Sequence, residues 1–231
     1  MRAAKKAVIL PESASAPDYD PDCRRCGRLA RFLDRVRAEN PGYWCRPVPP
    51  FGPRGARLLV VGLAPGMHGA NATGRAFTGD HAGILLYETL HDFGFASAAA
   101  SVSRDDGLEL RGCRISNAVK CLPPDNRPLP AEVAQCSRFL AADLASLPDG
   151  AAIVALGRVA HEAVLRVLGL PLKAHAFAHG ARHALGGGRL AMFDSFHCSR
   201  YNTNTGRLTR AMFRDVFRDA AAHLRGGAEA P

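Results

Sequence analysis

The sequence is short of what several protein classes require. No uninterrupted apolar run approaches the about 20 residues of a membrane-spanning helix, and the one early stretch, Ala7-Val8-Ile9-Leu10, stops at Pro11. The reading is a soluble, cytoplasmic chain with no secretory signal and no membrane partner. No fixed-period repeat is present, which excludes solenoids and propellers. The G-x-G-x-x-G spacing is missing as well, which argues against a nucleotide cofactor. Lysine is scarce, confined to Lys5, Lys6, Lys120 and Lys173, so the excess of 30 basic over 21 acidic residues is carried by arginine. A net charge of +9 favours polyanionic partners, although a composition rich in Ala, Gly and Arg produces part of that excess by itself.

What is present is an ordinary globular composition, 47% hydrophobic and 22% charged over 231 residues, enough for one sizeable core. Disorder, collagen and coiled coil are thereby excluded. Four β-like runs stand out: Arg57–Leu63, Cys113–Val119, Ala151–Gly157 and Leu190–Phe196. Most are continuous apolar segments, as strands covered on both faces should be. Helical spacing lies between them, in Leu29, Phe32, Leu33 and Val36 and again in Val133, Cys136, Leu140 and Leu144 after Pro130. A last helix capped by Thr209 carries Met212, Phe213, Val216, Phe217, Ala220 and Leu224 on one stripe. Strands alternating with helices predict a single α/β domain, an α/β/α sandwich around a mostly parallel four-stranded sheet with its core at about 22–224.

Ligands of such sheets bind beyond the carboxyl ends of the strands, and the segments that follow the runs are rich in chemistry. The first leads into Gly62-Leu63-Ala64-Pro65-Gly66-Met67-His68 and on through Phe77-Thr78-Gly79-Asp80; the second holds Asn117 just before Lys120-Cys121-Leu122-Pro123-Pro124. The fourth runs into His197-Cys198-Ser199 and the polar stretch Arg200 to Arg210, whose guanidinium, amide and hydroxyl donors suit phosphate oxygens. Seven cysteines, an odd number in a chain without an export signal, point to free or metal-bound thiols. Cys23-x2-Cys26 brings two thiols to one turn, and Cys121 and Cys136 flank a Pro-rich segment; spacing alone leaves zinc and a [4Fe–4S] cluster equally open. Cys45, Cys113 and Cys198 read as ordinary buried thiols. His175, His179 and His183 repeat at four-residue intervals, but Gly180 and Gly186–Gly188 argue for loop there and against a helical metal site.

These segments resemble the type B, or family 5, uracil-DNA glycosylases. The likeness rests on Gly62-Leu63-Ala64-Pro65 with His68-Gly69-Ala70-Asn71, Thr73-Gly74-Arg75 and Phe77-Thr78-Gly79-Asp80; on Lys120-Cys121-x-Pro123-Pro124; and on His197-x-Ser199-Arg200 with Asn202-Thr203-x-Thr205-Gly206-Arg207-Leu208-Thr209. It runs from about Asp22 to about Leu224. Type A relatives share the cysteine framework but carry Glu where this chain has Leu63. One departure is that Cys198 stands where the third motif has proline, which removes a constraint on the backbone there.

The resemblance implies a monofunctional enzyme that flips uracil, and other deaminated bases, out of DNA and hydrolyses the N-glycosidic bond. It makes Phe77 the residue that stacks on the base, Asn117 the reader of its edge and His197 the donor to its oxygen. Gly62, Ala64 and Gly66 bring backbone close to the base. No carboxylate stands at Ala64 or Gly66, so Asp80 is the residue for positioning water or stabilising the sugar cation, or else it simply caps the next helix. No lysine lies in the pocket motifs to act as a Schiff-base nucleophile; Lys120 comes nearest. Ser199, Arg200, Tyr201, Asn202, Arg207 and Leu208 are the DNA-reading set, with Tyr201 and Leu208 equally placed to fill the gap left by the flipped base. The resemblance also tips the metal choice to [4Fe–4S] on Cys23, Cys26, Cys121 and Cys136. His179-Gly180 resembles a motif on the active-site side, and His68 has either a pocket role or a structural hydrogen bond. The expected partner is DNA and the expected state a monomer. The rivals are a uracil-only, type A-like glycosylase and a non-catalytic DNA-binding protein with a structural four-cysteine metal.

Overall fold

The computed structural model describes residues 19–226. Its first helix, α1 (Gly27–Glu39), precedes strand β1 (Leu58–Gly62), the short α2 (Ala70–Thr73) and α3 (His81–Asp92). There follow β2 (Cys113–Asn117), α4 (Pro130–Ala145), β3 (Ala151–Leu156) and α5 (Arg158–Val167). The described residues close with β4 (Arg182–Leu185), β5 (Leu190–Ser195), the one-turn α6 (Arg200–Asn204) and α7 (Arg210–Gly226). All four expected strands form. They are parallel, and every residue of β1, β2, β3 and β5 is buried, which is why their sequences read as unbroken apolar runs.

Alternation along β1 divides the core. Leu58 and Val60 face one cluster with Leu86, Tyr87, Leu90, Phe213 and Phe217 from α3 and α7. Leu59 and Val61 face the other, with Leu29, Phe139, Leu140 and Val164 from α1, α4 and α5. The result is the expected three-layer α/β/α arrangement. One count needs correcting. The sheet has five strands, not four, in the order β2-β1-β3-β5-β4, and β4 runs antiparallel to β5. Two of its four residues, Arg182 and Ala184, are exposed, and only Ala184 and Leu185 are apolar, so they carry too little apolar alternation to announce an edge strand.

The order β2-β1-β3 means that the chain leaves β1 to one side and returns to the other. This reversal is a switch point, where a crevice opens beyond the strand ends. Gly62 pairs with Asn117 in register, so the last residues of β1 and β2 lie side by side at its floor.

Candidate active site

A cavity of about 390 Å³ opens at that switch point. Leu63, Ala64 and Gly66 after β1 line one wall, and Asp80, His81 and Ala82 at the start of α3 line another; Asn126 and the segment His197, Ser199, Arg200 complete it. Phe77 and Asn117 form the inner slot. A Cβ on Gly62 would stand 2.4 Å from Asn117 Oδ1 and 2.6 Å from Phe77 Cζ, so both side chains lie directly on the bare backbone of Gly62. Phe77 holds a left-handed φ of 54°, uncommon for an aromatic residue. Neighbouring contacts impose that conformation: Gly83 lies so close to the Phe77 carbonyl that no side chain fits there, and Tyr87 Oη donates to the Ala76 carbonyl at 2.7 Å. The buried Arg75 guanidinium ties the same turn to Asp106 (2.6 Å) and Ser101 (3.0 Å).

The His197 ring stacks with that of Phe77, 6.0 Å between centroids at 25°. Burial pushes its pKa down to about 4, so it is a neutral donor at physiological pH. Asn202 Nδ2 donates to the His197 carbonyl at 2.8 Å, and Ser199 Oγ caps α6 by accepting from the Asn202 N–H. These bonds hold the loop where the motif proline is absent, while Cys198 itself is fully buried. Behind His197, His179 Nδ1 accepts from the Phe196 N–H at 3.1 Å and the His179 ring stacks on that of Phe196; His179 thus supports the loop rather than lining the cavity. Asn117 Oδ1 is buried and has no hydrogen-bond partner, an acceptor left for a ligand.

Asp80 is placed for both expected purposes, and the structure shows the cap directly. Its Oδ1 accepts from the Gly83 N–H at 2.9 Å and caps α3, and its carboxyl faces the cavity beside Gly66 and Gly69. Burial raises its pKa, against the opposing pull of the Gly83 and Ala82 amides. His81 Nε2 lies 2.9 Å from Thr203 Oγ1, linking the α3 wall to α6. His68 has the structural bond, with Tyr43 Oη at 2.8 Å. Lys120 is not in the cavity. Its ammonium is buried against Ser116 and Asp143 on the far side of the sheet end.

Around the mouth, Arg200 and Tyr201 project outward, and Arg207 lies over the Phe196 ring at 4.6 Å. Tyr201 is 70% exposed, whereas Leu208 is only 1% exposed and packs into the core with Phe213. Leu208 is therefore removed from the DNA-reading set as a side chain that meets DNA. Its apolar character marked core, and spacing alone did not reveal that. Asn126 went unpredicted. It and Asp125 both take a φ of 54° in the turn after Pro124, a tight Asp-Asn turn that aims residue 126 into the cavity. The Pro-Pro-Asp-Asn sequence was the available signal.

At the opposite edge of β2, Cys23, Cys26, Cys121 and Cys136 surround one small cavity, together with Lys120 and Phe139. The Lys120 N–H donates to Cys136 Sγ at 3.3 Å. Burial and the neighbouring Cys136 push the Cys26 thiol up to about 11, and burial likewise raises Cys121 and Cys136. Two ligands of one zinc at about 2.3 Å each cannot lie further apart than about 4.6 Å. Among the described residues, no three of these sulfurs lie within 4.8 Å of one another, a spacing that His161, His183 and Asp194 do meet.

A cavity at the switch point of a largely parallel sheet, lined by a few convergent polar groups, is the arrangement of an α/β enzyme. The chain belongs to the uracil DNA glycosylase superfamily, whose family model matches residues 49–221, and within it stands with the type-5 members. The type-5 uracil-DNA glycosylase of Thermus thermophilus is 47% identical over 203 residues, covering 86% of this chain and 92% of its own. That of Pyrobaculum aerophilum is 45% identical over 205 residues, 87% and 88% of the two chains. The type-4 uracil-DNA glycosylase of Thermotoga maritima matches at 41% over 106 residues, only 45% of this chain. No helix among the described residues is long and apolar enough to cross a membrane.

Proposed function

We propose that the chain is a monofunctional DNA glycosylase that removes uracil, and deaminated purines such as hypoxanthine, from DNA as the first step of base excision repair, acting as a monomer in the cytoplasm. The observation that carries this reading is the unpartnered Asn117 oxygen that, like the Phe77 ring, lies against the bare backbone of Gly62. It suits the N–H on the edge of a flipped base stacked on Phe77. In the reaction the C1′–N bond breaks with its electron pair moving to the base. The neutral His197 N–H donates to the base oxygen on which that charge gathers. Asp80, buried at the cavity wall, faces the sugar cation and orients the water that adds to C1′. Tyr201, the exposed member of the earlier pair, occupies the gap in the duplex while Arg200 and Arg207 hold phosphates.

The test is excision from matched oligonucleotides carrying uracil, hypoxanthine or no damage, followed by alkali. Strand breaks from both damaged bases are expected. Breaks from uracil alone would support the narrower, type A-like reading, and binding without breaks the non-catalytic one.

Asp80→Asn separates the two duties of that residue. The amide oxygen still caps α3, while the charge is lost. The folded pKa lies above the unfolded value of 3.8, so the ionised carboxylate costs stability as pH rises through that window, and the variant should melt no lower than the parent at pH 7. Excision should fall by about a hundredfold or more. An unchanged rate would leave Asp80 a helix cap only.

For the four cysteines we propose a [4Fe–4S] cluster, with zinc as the alternative. Four thiols gathered around one cavity, with Cys26, Cys121 and Cys136 raised chiefly by burial, suit a multiply charged cationic centre that several thiolates share. Bound there, it would supply a covalent cross-link between the start of α1 and α4. Cys121→Ala should lower soluble yield and melting temperature and lose iron, read by metal analysis and visible absorbance. A stable, iron-free, fully active variant would overturn the assignment.

A further inference from the structure

Three imidazoles and a carboxylate meet behind the strand that leads to His197, outside the cavity. His161 comes from α5, His183 from β4 and Asp194 from β5, with His175 in the turn ahead of β4. The side chains of His161 and Asp194 are buried and that of His183 nearly so. His161 Nδ1 stands 2.8 Å from Asp194 Oδ1, and His183 Nε2 stands 2.9 Å from Asp194 Oδ2. The His161 and His183 rings are 5.2 Å apart and the His175 and His183 rings 5.6 Å.

The second nitrogen of His161 decides the chemistry. Its Nε2 lies 2.8 Å from the His175 carbonyl oxygen, which can only accept, so Nε2 carries the hydrogen. A neutral imidazole has one N–H. Nδ1 then turns a lone pair toward a carboxylate oxygen that also has only lone pairs to offer. At 2.8 Å that contact needs a positive charge between the two atoms, and an extra proton or a metal ion can supply it. Metal-bound histidines share this wiring, with the free ring N–H given to a backbone carbonyl that fixes the tautomer.

We propose that His161, His183 and Asp194 form a site for a divalent transition-metal ion, zinc foremost, with the His175 ring as the adjacent fourth donor. Two imidazoles and a carboxylate are zinc ligands. Ligand atoms at about 2.0–2.2 Å from a tetrahedral ion lie about 3.3–3.6 Å apart, so the present contacts of 2.8 and 2.9 Å need open by about half an ångström. The ion would tie α5, β4 and the turn at His175 to β5, three residues ahead of His197.

Cobalt(II) titration of the full chain with its cysteine centre loaded tests the proposal. One equivalent should bind with visible d–d bands and no thiolate charge-transfer band, and zinc should displace it. His183→Gln and, separately, His175→Gln should weaken this uptake by about tenfold or more while leaving iron content unchanged. Absence of a thiolate-free cobalt spectrum in the parent protein would overturn the proposal and leave a proton on His161, as would undiminished uptake in folded His183→Gln. The parent spectrum decides the matter even if a variant fails to fold.

Discussion

His197→Ala should lose base excision by about a hundred- to a thousandfold, the range found when one preorganised donor to a developing negative charge is removed. Affinity for DNA should hold, with the same salt slope, because the proposed phosphate contacts belong to Arg200 and Arg207 at the mouth and not to the ring inside. The split between a collapsed rate and intact binding separates a donor in the transition state from a DNA-binding residue. Burial pushes the ring's pKa down to about 4, below its ordinary 6.5, so in the parent it should act as the same neutral donor from about pH 5 to 8 and become a cationic donor only near 4. The sign for stability follows. Between 4 and 6.5 the unfolded chain holds this proton and the folded chain does not, so stability rises with pH across that window, and His197→Asn should flatten that part of the curve. Single-turnover excision and thermal melts over this range check both statements. Parental rates in His197→Ala would remove the ring from the mechanism.

Gly62→Ala should be nearly as damaging, though it adds only a methyl group. That carbon would sit 2.4 Å from Asn117 Oδ1 and 2.6 and 2.9 Å from two Phe77 ring atoms. None of these neighbours can yield freely. Asn117 is in register with Gly62 on the adjoining strand, and Phe77 is locked in its left-handed turn by Gly83, Tyr87 and the Arg75–Asp106 ion pair. The methyl group must therefore push the stacking ring or the edge-reading amide out of place by the better part of an ångström. A shift of that size costs about a hundredfold in rate, while overpacking costs about 1–3 kcal/mol of stability. The variant should stay folded in a melt and lose excision in the oligonucleotide assay. Full activity would show that the slot over Gly62 is not where the base lies.

Much of this was legible in the chain because it is local. Strands buried on both faces had to be continuous apolar runs, as in Leu58–Gly62 and Ala151–Leu156, and the stripe on α7 had to recur every three to four residues. The motif residues Phe77, Asp80, Asn117 and His197 do meet at one switch point, as their places after the strands implied. Other features could be decided only by folding. Tyr201 and Leu208 share a polar stretch, yet one is open and the other is core, since burial depends on α7 packing beneath them. Asn126 reaches the cavity through two left-handed residues that leave no periodic trace. The glycines around the histidines at 175 and 183 pointed to loop and could not reveal that β4 folds back along β5 and carries His183 to His161 and Asp194, partners more than ten residues distant in sequence. Residue type and spacing determine which elements form and which chemistry is available. Contacts between segments far apart in the chain depend on how the layers pack, and only the tertiary structure decides them.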